Sequence, residues 1–333
     1  MNTTTGTRIY RGTARNIALL AGKLRTGELV AVPTETVYGL AANALDARAC
    51  RRIFTAKGRP ANDPLIIHIH HLAQLDQLAV MNPAARRLAE VFWPGPLTLV
   101  LPKRPAVPDL VTSGLPSVAV RMPRHPLLRR LLHACDLPLA APSANPFGYV
   151  SPTTAEHVRA GLNGKIRHIL DGGPARIGLE STIVDVRDPR RIRVLRPGAI
   201  SMAQLRNCLG QPVVQYRPQP KAQNLAQVAP GMLTRHYSPN ARILLRPRIT
   251  ARDLLQCDAR TACVFFQKPA KATGQHVYWL DAEGDQTRAA RRLFALLRKL
   301  DTSGYRTILA ETAPPGPMAE AINDRLRRAA AKN

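Results

Sequence analysis

Residues 28–40 read ELVAVPTETVYGL, and this stretch sets the pattern of the first half of the chain. Its first part, 28–33, is a short apolar run that ends at a proline, which predicts a buried strand. Four side chains that form hydrogen bonds follow directly: Thr34, Glu35, Thr36 and Tyr38. Such groups at the end of a strand can bind a small polar ligand, although a strand-to-turn connection explains them about as well.

Strands and helices continue on both sides of this stretch. Apolar residues at helical spacing predict helices at 14–26, 46–56, 83–92, 126–135, 153–161 and 201–209, with Asp46 and either Ser151 or Thr153 as N-caps. Apolar runs predict strands at 64–70, 97–102, 117–123 and 138–145, and three more between 168 and 198. Because the order has no regular βαβ repeat, it predicts a mixed sheet with helices, of α/β or mixed α+β class.

The character of the sequence changes near residue 210. Residues 211–231 are rich in proline and have no clear period, which is typical of a linker or an extended arm. The stretch after 240 contains three strand-like runs, a long amphipathic helix, another strand and a last helix. The prediction is therefore a domain at 1–210, an arm at 211–239 and a smaller α/β domain at 240–333.

Composition excludes several classes of protein. The 333 residues are 45% hydrophobic, which is too much for a disordered chain. No apolar run approaches the length of a membrane span, and the N-terminus lacks a signal peptide core. The five cysteines form no CxxC pair. This usage argues against a disulfide framework or a zinc site and predicts a cytoplasmic protein without membrane contact.

The chain is strongly basic, with 48 lysines and arginines against 22 acidic residues and a net charge of +26. A polyanionic substrate or partner is one explanation. A general enrichment in arginine, which would coat any surface with charge, is an equal alternative at this point.

Several motifs carry candidate ligand groups. In KGRPANDPL (57–65), Lys57 and Arg59 flank a glycine and could hold phosphate oxygens, although surface charge on a turn is as good an explanation. The chain has no GxxxxGK[ST] or GxGxxG motif, so ATP would have to bind by another route. In SVAVRMP (117–123), Arg121 lies in an apolar strand and needs either an acidic partner or an anionic ligand, of which the ligand is favoured.

Other polar residues follow further predicted strands. Ser143 and Asn145 lie in APSANPFGYVSP (141–152); a turn explains them too, and no partner indicates a serine nucleophile. Ser181 opens the run at 179–186, and Arg196 ends the next one. His68 and His70 alternate along one strand, but a metal site there would lack a third ligand. Since polar groups follow several strand ends, one shared pocket is expected.

The order of these motifs is that of a known family. PTETVYGL, KGRPxxxPL, SVAVRMP, APSAN and LESTIVD with LRPG, together with PGMLTRHYSP (230–239) and the smaller domain, resemble the YrdC-like (Sua5/YciO/YrdC) family in its two-domain Sua5 type. The resemblance covers residues 10–333. Departures are Ala41, where glycine is often expected, and Leu233 with Thr234 in the arm.

The resemblance implies a YrdC-like twisted mixed sheet with a basic concave face and a smaller Rossmann-like C-terminal domain. It also implies a nucleotidyltransferase that makes L-threonylcarbamoyladenylate and diphosphate from L-threonine, bicarbonate or CO₂, and ATP. The product serves the N6-threonylcarbamoyladenosine modification of tRNA, so tRNA and a downstream threonylcarbamoyl-transferase machinery are implied partners. Mg²⁺ would arrive with ATP, without a side-chain metal site of its own.

The resemblance further implies a role for individual residues. Those implied for the triphosphate and for catalysis are Lys57, Arg59, Ser143 and Asn145. Those implied for other ATP contacts are Asn62, Ser117, Ser151, Arg196, His236 and Tyr237. Those implied for L-threonine are Thr34, Tyr38, His68, Arg121, Ala141 and Ser181. Arg235, His236 and Tyr237 would close over the pocket as a lid and exclude water.

A second hypothesis is an RNA-binding module. Its basic concave surface would hold tRNA or double-stranded RNA without catalysis, as the net charge allows. The arm separates the two hypotheses, because a lid suits a small-molecule pocket and has little use on an RNA platform.

Overall fold

The computed structural model describes residues 6–216, 226–231, 236–270 and 274–331. Leu233, Thr234 and Arg235 lie outside the described residues. Within the described part, the chain forms two sheets, one large and mixed and one small and parallel. This is the mixed α/β architecture that the sequence predicts.

The large sheet contains eleven strands of the described residues. They are β1 (Arg8–Arg11), β2 (Val30–Val32), β3 (Gly39–Asn43), β4 (Ile66–His68), β5 (Leu97–Pro102), β6 (Ser117–Arg121), β7 (Leu139–Ala140), β8 (His168–Asp171), β9 (Thr182–Asp185), β10 (Ile192–Arg196) and β11 (Val213–Gln215). Their order across the sheet is β1-β8-β2-β3-β7-β4-β6-β5-β9-β10-β11. The β4/β6 and β5/β9 pairs are parallel, whereas β2/β3, β3/β7 and β5/β6 are antiparallel.

Eight α-helices and a short 3₁₀ helix (Leu72–Gln74) accompany this sheet in the described residues. The α-helices are α1 (Ala14–Arg25), α2 (Ala47–Lys57), α3 (Leu75–Leu78), α4 (Pro83–Phe92), α5 (Asp109–Thr112), α6 (Pro126–Cys135), α7 (Ala155–Leu162) and α8 (Met202–Leu209). Asp46 caps α2 as predicted, because its Oδ1 accepts hydrogen bonds from the backbone N–H groups of Arg48 and Ala49. The cap of α7 is Thr154, so the prediction of Ser151 or Thr153 was wrong.

The small sheet consists of four parallel strands in the order β12-β15-β13-β14. They are β12 (Arg242–Arg246), β13 (Thr261–Gln267), β14 (Val277–Asp281) and β15 (Thr307–Glu311). Helices α9 (Ala251–Leu255), α10 (Gln286–Thr302) and α11 (Ala319–Ala330) belong to the same part of the chain. Helix α9 connects β12 to β13, and α10 connects β14 to β15. Parallel strands with such helical connections match the Rossmann-like arrangement expected for this region.

The two parts share an apolar core. Val37, Val150 and Leu179 of the first part belong to the same buried cluster as Phe294 of α10 and Tyr237. The predicted domain boundaries at residues 210 and 239 stay predictions. Strand β11 lies beyond residue 210 and still pairs with β10 of the large sheet. No helix of the described residues is long and apolar enough to cross a membrane.

Candidate active site

The loops after β2 and β7, the segment before β9 and the ends of β4, β6 and β10 meet at a cavity of about 40 Å³. Residues of the arm, among them Gly231 and Tyr237, form part of its wall. About three water molecules would fill this volume, at roughly 10–15 Å³ each. The arm therefore covers the cavity closely in this structure.

Sequence reasoning named sixteen site residues, and most of them line this cavity. All six residues predicted for L-threonine do so: Thr34, Tyr38, His68, Arg121, Ala141 and Ser181. Five of those predicted for ATP do so as well: Arg59, Ser143, Arg196, His236 and Tyr237. The other five do not belong to the lining: Lys57, Asn62, Ser117, Asn145 and Ser151.

The loop between β2 and β3 is held by one threonine hydroxyl. Thr34 Oγ1 accepts hydrogen bonds from the backbone N–H groups of Thr36 at 3.0 Å and Val37 at 3.1 Å. Such a side-chain turn replaces backbone pairing in a tight loop. The Tyr38 hydroxyl donates a hydrogen bond to the carbonyl oxygen of Gly173 at 2.8 Å. Its hydroxyl is thus engaged with protein.

Arg121 has an acidic partner. The sequence pattern alone favours an anionic ligand over such a partner. Its Nη2 lies 2.7 Å from Glu35 Oε1, and its Nη1 donates to Thr36 Oγ1 at 2.9 Å. Burial raises the pKa of Glu35, but Arg121 outweighs this and keeps that pKa below its ordinary value. The buried guanidinium also faces the cavity, so the partner and the pocket coexist.

His68 lies beside Arg121 because β4 and β6 run parallel with these two residues in register. Burial, and next the positive charge of Arg121, lower the pKa of His68 to about 3. The imidazole is therefore neutral at physiological pH. His70, which sequence reasoning placed on the same face, is not part of the cavity lining, since β4 ends at His68.

Lys57 joins two of the motifs. Its Nζ donates to the backbone carbonyl oxygens of Ser143, at 2.6 Å, and of Asn145. Lys57 is the last residue of α2, and the two acceptors follow β7, so the ammonium fixes the loop after that strand. Burial, and then nearby Arg59, lower the pKa of Lys57.

Arg59 is anchored within its own loop. Its Nη2 lies 2.9 Å from Asp63 Oδ2, and the guanidinium donates to the carbonyl oxygens of Asp63 and Pro64. Both partners of this ion pair are buried. The arginine is held rigidly against the cavity, which suits a phosphate-binding group.

Arg196 connects the sheet to the arm. It donates to Ser181 Oγ at 3.2 Å and to the carbonyl oxygen of Pro230 at 3.3 Å. Among the described residues, neither Arg196 nor Lys57 has a carboxylate in ion-pair contact. Arg196, which lines the cavity, is thus a buried cation without a described carboxylate in ion-pair contact, which is costly unless a bound anion compensates it.

The described end of the arm places two aromatic side chains over the cavity. The rings of His236 and Tyr237 are 4.1 Å apart, and Tyr237 stacks on Phe294 at 5.5 Å. The pKa of His236 lies well below its ordinary value because of burial first and the neighbouring arginine and lysine charges next. Burial raises the pKa of Tyr237, so both groups are neutral.

Sequence reasoning missed a group that reaches the site from the second domain. Arg325 of α11 forms an ion pair with Glu180 at 2.8 Å, and Glu180 lines the cavity. The guanidinium also lies 5.3 Å from the centre of the Tyr237 ring. Glu180 stands in the LESTIVD motif and could have been chosen there, but no sequence signal connects it with a residue 145 positions away.

Four of the predicted site residues that do not line the cavity have the following contacts. Ser151 donates its hydroxyl hydrogen to Glu180, and Asn145 donates to the carbonyl oxygens of Pro146 and Tyr149. Asn62 accepts a backbone hydrogen bond from Gln227 of the arm at 3.0 Å. Ser117 Oγ is buried without a hydrogen-bond partner among the described residues.

Two family models match consecutive parts of the chain. A family model of the Sua5/YciO/YrdC group, described as "Telomere recombination", matches residues 22–198. A second model, described as "Threonylcarbamoyl-AMP synthase, C-terminal domain", matches residues 200–331.

Similar proteins span nearly the whole chain. The threonylcarbamoyl-AMP synthase of Pyrococcus abyssi is 43% identical over 94% of this chain and 93% of its own. The Bacillus subtilis protein of the same name is 39% identical over 94% and 92%. A crystal structure of P. abyssi Sua5 with L-threonine superposes with a TM-score of 0.87 and 40% identity, over 97% of this chain and 98% of that one.

Proposed function

Because this chain belongs to the Sua5/YciO/YrdC family, we propose that it is an L-threonylcarbamoyladenylate synthase. It is an enzyme that joins L-threonine, bicarbonate or CO₂, and ATP into threonylcarbamoyl-AMP and diphosphate, as a nucleotidyltransferase. The product serves the threonylcarbamoyl modification of tRNA.

One observation carries this proposal beyond the family. Arg196 is a buried cation without a carboxylate partner among the described residues, and it lines a cavity that Arg59 also faces. Buried Lys57 likewise has no carboxylate in ion-pair contact within that part of the chain, and it holds the loop of Ser143, which lines the same cavity. A polyanionic ligand would supply the missing negative charge. It would also raise the pKa values of Lys57 and Arg196, which burial lowers. A triphosphate fits this requirement.

The threonine would lie on the side of Arg121. This guanidinium offers positive charge for the carboxylate, and the neutral imidazole of His68 adds none. The threonine amine attacks the carbon of CO₂ and loses a proton, which gives a carbamate. A carbamate oxygen then attacks the α-phosphorus of ATP, the bond to the bridging oxygen breaks, and diphosphate leaves with the electron pair.

No protein nucleophile is needed in this sequence. Positioning and charge neutralisation supply the catalysis, and Lys57, Arg59 and Arg196 are the groups that would stabilise the developing charge on the phosphates. The arm would exclude water from an adenylate that hydrolyses readily.

Mg²⁺ would enter with the nucleotide. The carboxylates of Asp63, Glu35 and Glu180 near the cavity are each engaged by an arginine. The described residues therefore leave phosphate oxygens and water as ligands of the ion, and Mg²⁺ commonly keeps several waters when it binds substrate phosphates. Its chemistry would be to neutralise charge on the leaving diphosphate.

The test is diphosphate release measured with each substrate omitted in turn. We expect release only when L-threonine, bicarbonate and ATP are all present, together with a new adenylate detected by mass spectrometry. Release that does not depend on L-threonine contradicts the proposal. The site variant is Arg59→Lys, which keeps a cation beside buried Asp63, and the control is exposed Arg51→Lys. We expect turnover to fall for the first variant only.

The RNA-binding hypothesis without catalysis is not favoured. The relatives that span the chain are named as synthases, and the arm forms part of the wall of a small cavity. Direct binding of tRNA, transfer to a downstream threonylcarbamoyl transferase and a cytoplasmic location remain part of the proposal. Salt-dependent tRNA binding without any adenylate formation would reverse this choice.

A further inference from the structure

Three histidines and an aspartate meet on the surface outside the cavity. His70 and His71 follow β4, and His133 and Asp136 lie at the end of α6. His70 Nε2 is 3.0 Å from Asp136 Oδ1. The ring of His70 has its centre 4.3 Å from that of His71 and 5.4 Å from that of His133. The cluster thus joins two segments that are distant in sequence.

The donor atoms are close enough to share one ion. One donor atom each from His70, His71 and Asp136 lies within 4.8 Å of the other two. Two ligands of one tetrahedral Zn²⁺ ion are about 3.3 Å apart when each bond is about 2.0–2.1 Å. His71 and Asp136 are exposed, so small side-chain rotations supply the difference. His133 is outside this group of three, but it is exposed and its ring centre is 5.4 Å from that of His70, so a rotation of its side chain would bring it to the same ion.

The backbone at Asp136 is consistent with a retained ligand. Asp136 follows α6 directly and has a φ of 48°, in the left-handed region where glycine is the usual residue. Aspartate tolerates this conformation better than most residues. The sequence therefore presents a carboxylate at a position that glycine would occupy at lower cost. His133 lies three residues earlier, in the last turn of α6.

The chemistry of the cluster selects a class of ion. Three imidazoles and one carboxylate favour Zn²⁺ and similar transition metals, whereas Ca²⁺ and Mg²⁺ prefer oxygen ligands. Arg129 Nη2 donates to the backbone carbonyl oxygen of His70 at 3.4 Å, not to its ring. The His70 ring contacts Asp136, which is itself a proposed ligand.

We propose that His70, His71, His133 and Asp136 bind one divalent transition-metal ion of the Zn²⁺ class. The ion would fasten the segment after β4 to the end of α6. It would lie outside the cavity, and its ligands take no part in the proposed reaction.

Titration of the untagged, chelator-treated full chain with Zn²⁺ tests this site. We expect one equivalent to bind by calorimetry, and Co²⁺ to give the visible absorption of a tetrahedral complex. Asp136→Asn and His71→Ala should each weaken the affinity by roughly tenfold or more, because each removes one ligand. Both residues are exposed, so circular dichroism should show an unchanged fold.

The double variant His70→Ala/His71→Ala decides the outcome, and the control is His276→Ala in the second domain. Loss of the bound equivalent in the double variant, with wild-type binding in the control, supports the site. A wild-type chain that binds no Zn²⁺ overturns it, and so does a double variant that binds as tightly as the wild type. Neither readout uses enzymatic activity, so the result is independent of the proposed function.

Discussion

At the scale of single residues, Gly231 shows how tightly the arm fits over the cavity. Its φ is 76°, and a Cβ atom there would lie 2.7 Å from the Tyr237 hydroxyl and 3.0 Å from Arg196 Nη1. We expect Gly231→Ala to lower kcat by roughly tenfold or more, because a misplaced cover disturbs the positioned groups beneath it. Diphosphate release under saturating substrates measures the effect.

Gly210 provides the matched control for this variant. Its φ is 66°, but a Cβ atom there would meet nothing within 4 Å. Gly210→Ala therefore introduces similar backbone strain without the collision. If both variants lose the same activity, the contact with Tyr237 and Arg196 has no role in turnover.

The buried imidazole of His68 gives a prediction about pH. Its pKa is about 3 in the folded chain and 6.5 when unfolded, so the unfolded state binds more protons below pH 6.5. The free energy of unfolding therefore falls as the pH drops, by about 2 kcal/mol from this group between pH 7.5 and pH 5. We expect the free energy of unfolding of His68→Asn to fall less than that of the wild type between about pH 7.5 and about pH 5.

Urea unfolding at the two pH values measures this difference. Trp93 fluorescence in a Trp279→Phe background reports on the first domain, since the chain has two tryptophans. His276→Asn serves as the control, because His276 lies in the second domain beside Tyr305. An equal loss of stability in the wild type and His68→Asn would show that His68 does not titrate in this range.

At the scale of secondary-structure elements, helix α2 and the loop after β7 act as one unit through Lys57. We expect Lys57→Gln to lower kcat/KM for ATP by about 10- to 100-fold, because charge-assisted hydrogen bonds contribute about 1.5–3 kcal/mol each. Steady-state diphosphate release at varied ATP measures this. Arg51→Gln, an exposed change on the same helix, should leave kcat/KM unchanged.

The elements themselves were largely predictable. Helices with clear apolar spacing, such as α4 and α6, have the predicted bounds, and β5 does too. Strand β3 was missed because GLAAN carries no large β-branched or aromatic residues. It forms because β2 and β7 flank it and supply hydrogen-bond partners.

Sequence motifs predicted many of the residues that line the cavity, but they did not predict which residues form hydrogen bonds or ion pairs with one another. Motif ends identified Arg59, Arg121 and Arg196, all of which line the cavity. Their partners depend on tertiary contacts, as with Arg121 and Thr36, which are 85 positions apart. Local pattern carries no information about such distant pairing.

At the scale of the whole molecule, the second domain completes the site. Arg325 pairs with Glu180 at 2.8 Å, and Arg298 of α10 donates to the carbonyl oxygens of Val150 and Ser151. Removal of one partner from a buried ion pair destabilises a protein by about 3–5 kcal/mol. We expect Arg325→Gln to reduce both the melting temperature and kcat, with Glu180 left unpaired.

The double variant Arg325→Gln/Glu180→Gln separates the two effects. With the charge of Glu180 removed and Asp324 still paired with Arg328, it should regain much of the stability. We expect kcat to stay low, because Tyr237 has lost its neighbouring guanidinium. Arg327→Gln on the exposed side of α11 is the control. Full recovery of kcat in the double variant would assign the ion pair to stability alone.

The pairing of Glu180 with Arg325 also has a consequence for the synthesis of the chain. The two residues are 145 positions apart, and Arg325 is near the C-terminus. A ribosome adds about 5–20 residues per second, so roughly 7–30 s pass between their incorporation. During that interval the nascent first domain exposes Val37, Val150 and Leu179, which the second domain later buries. The growing polypeptide therefore passes through a stage that is prone to aggregation and is a natural client for chaperones.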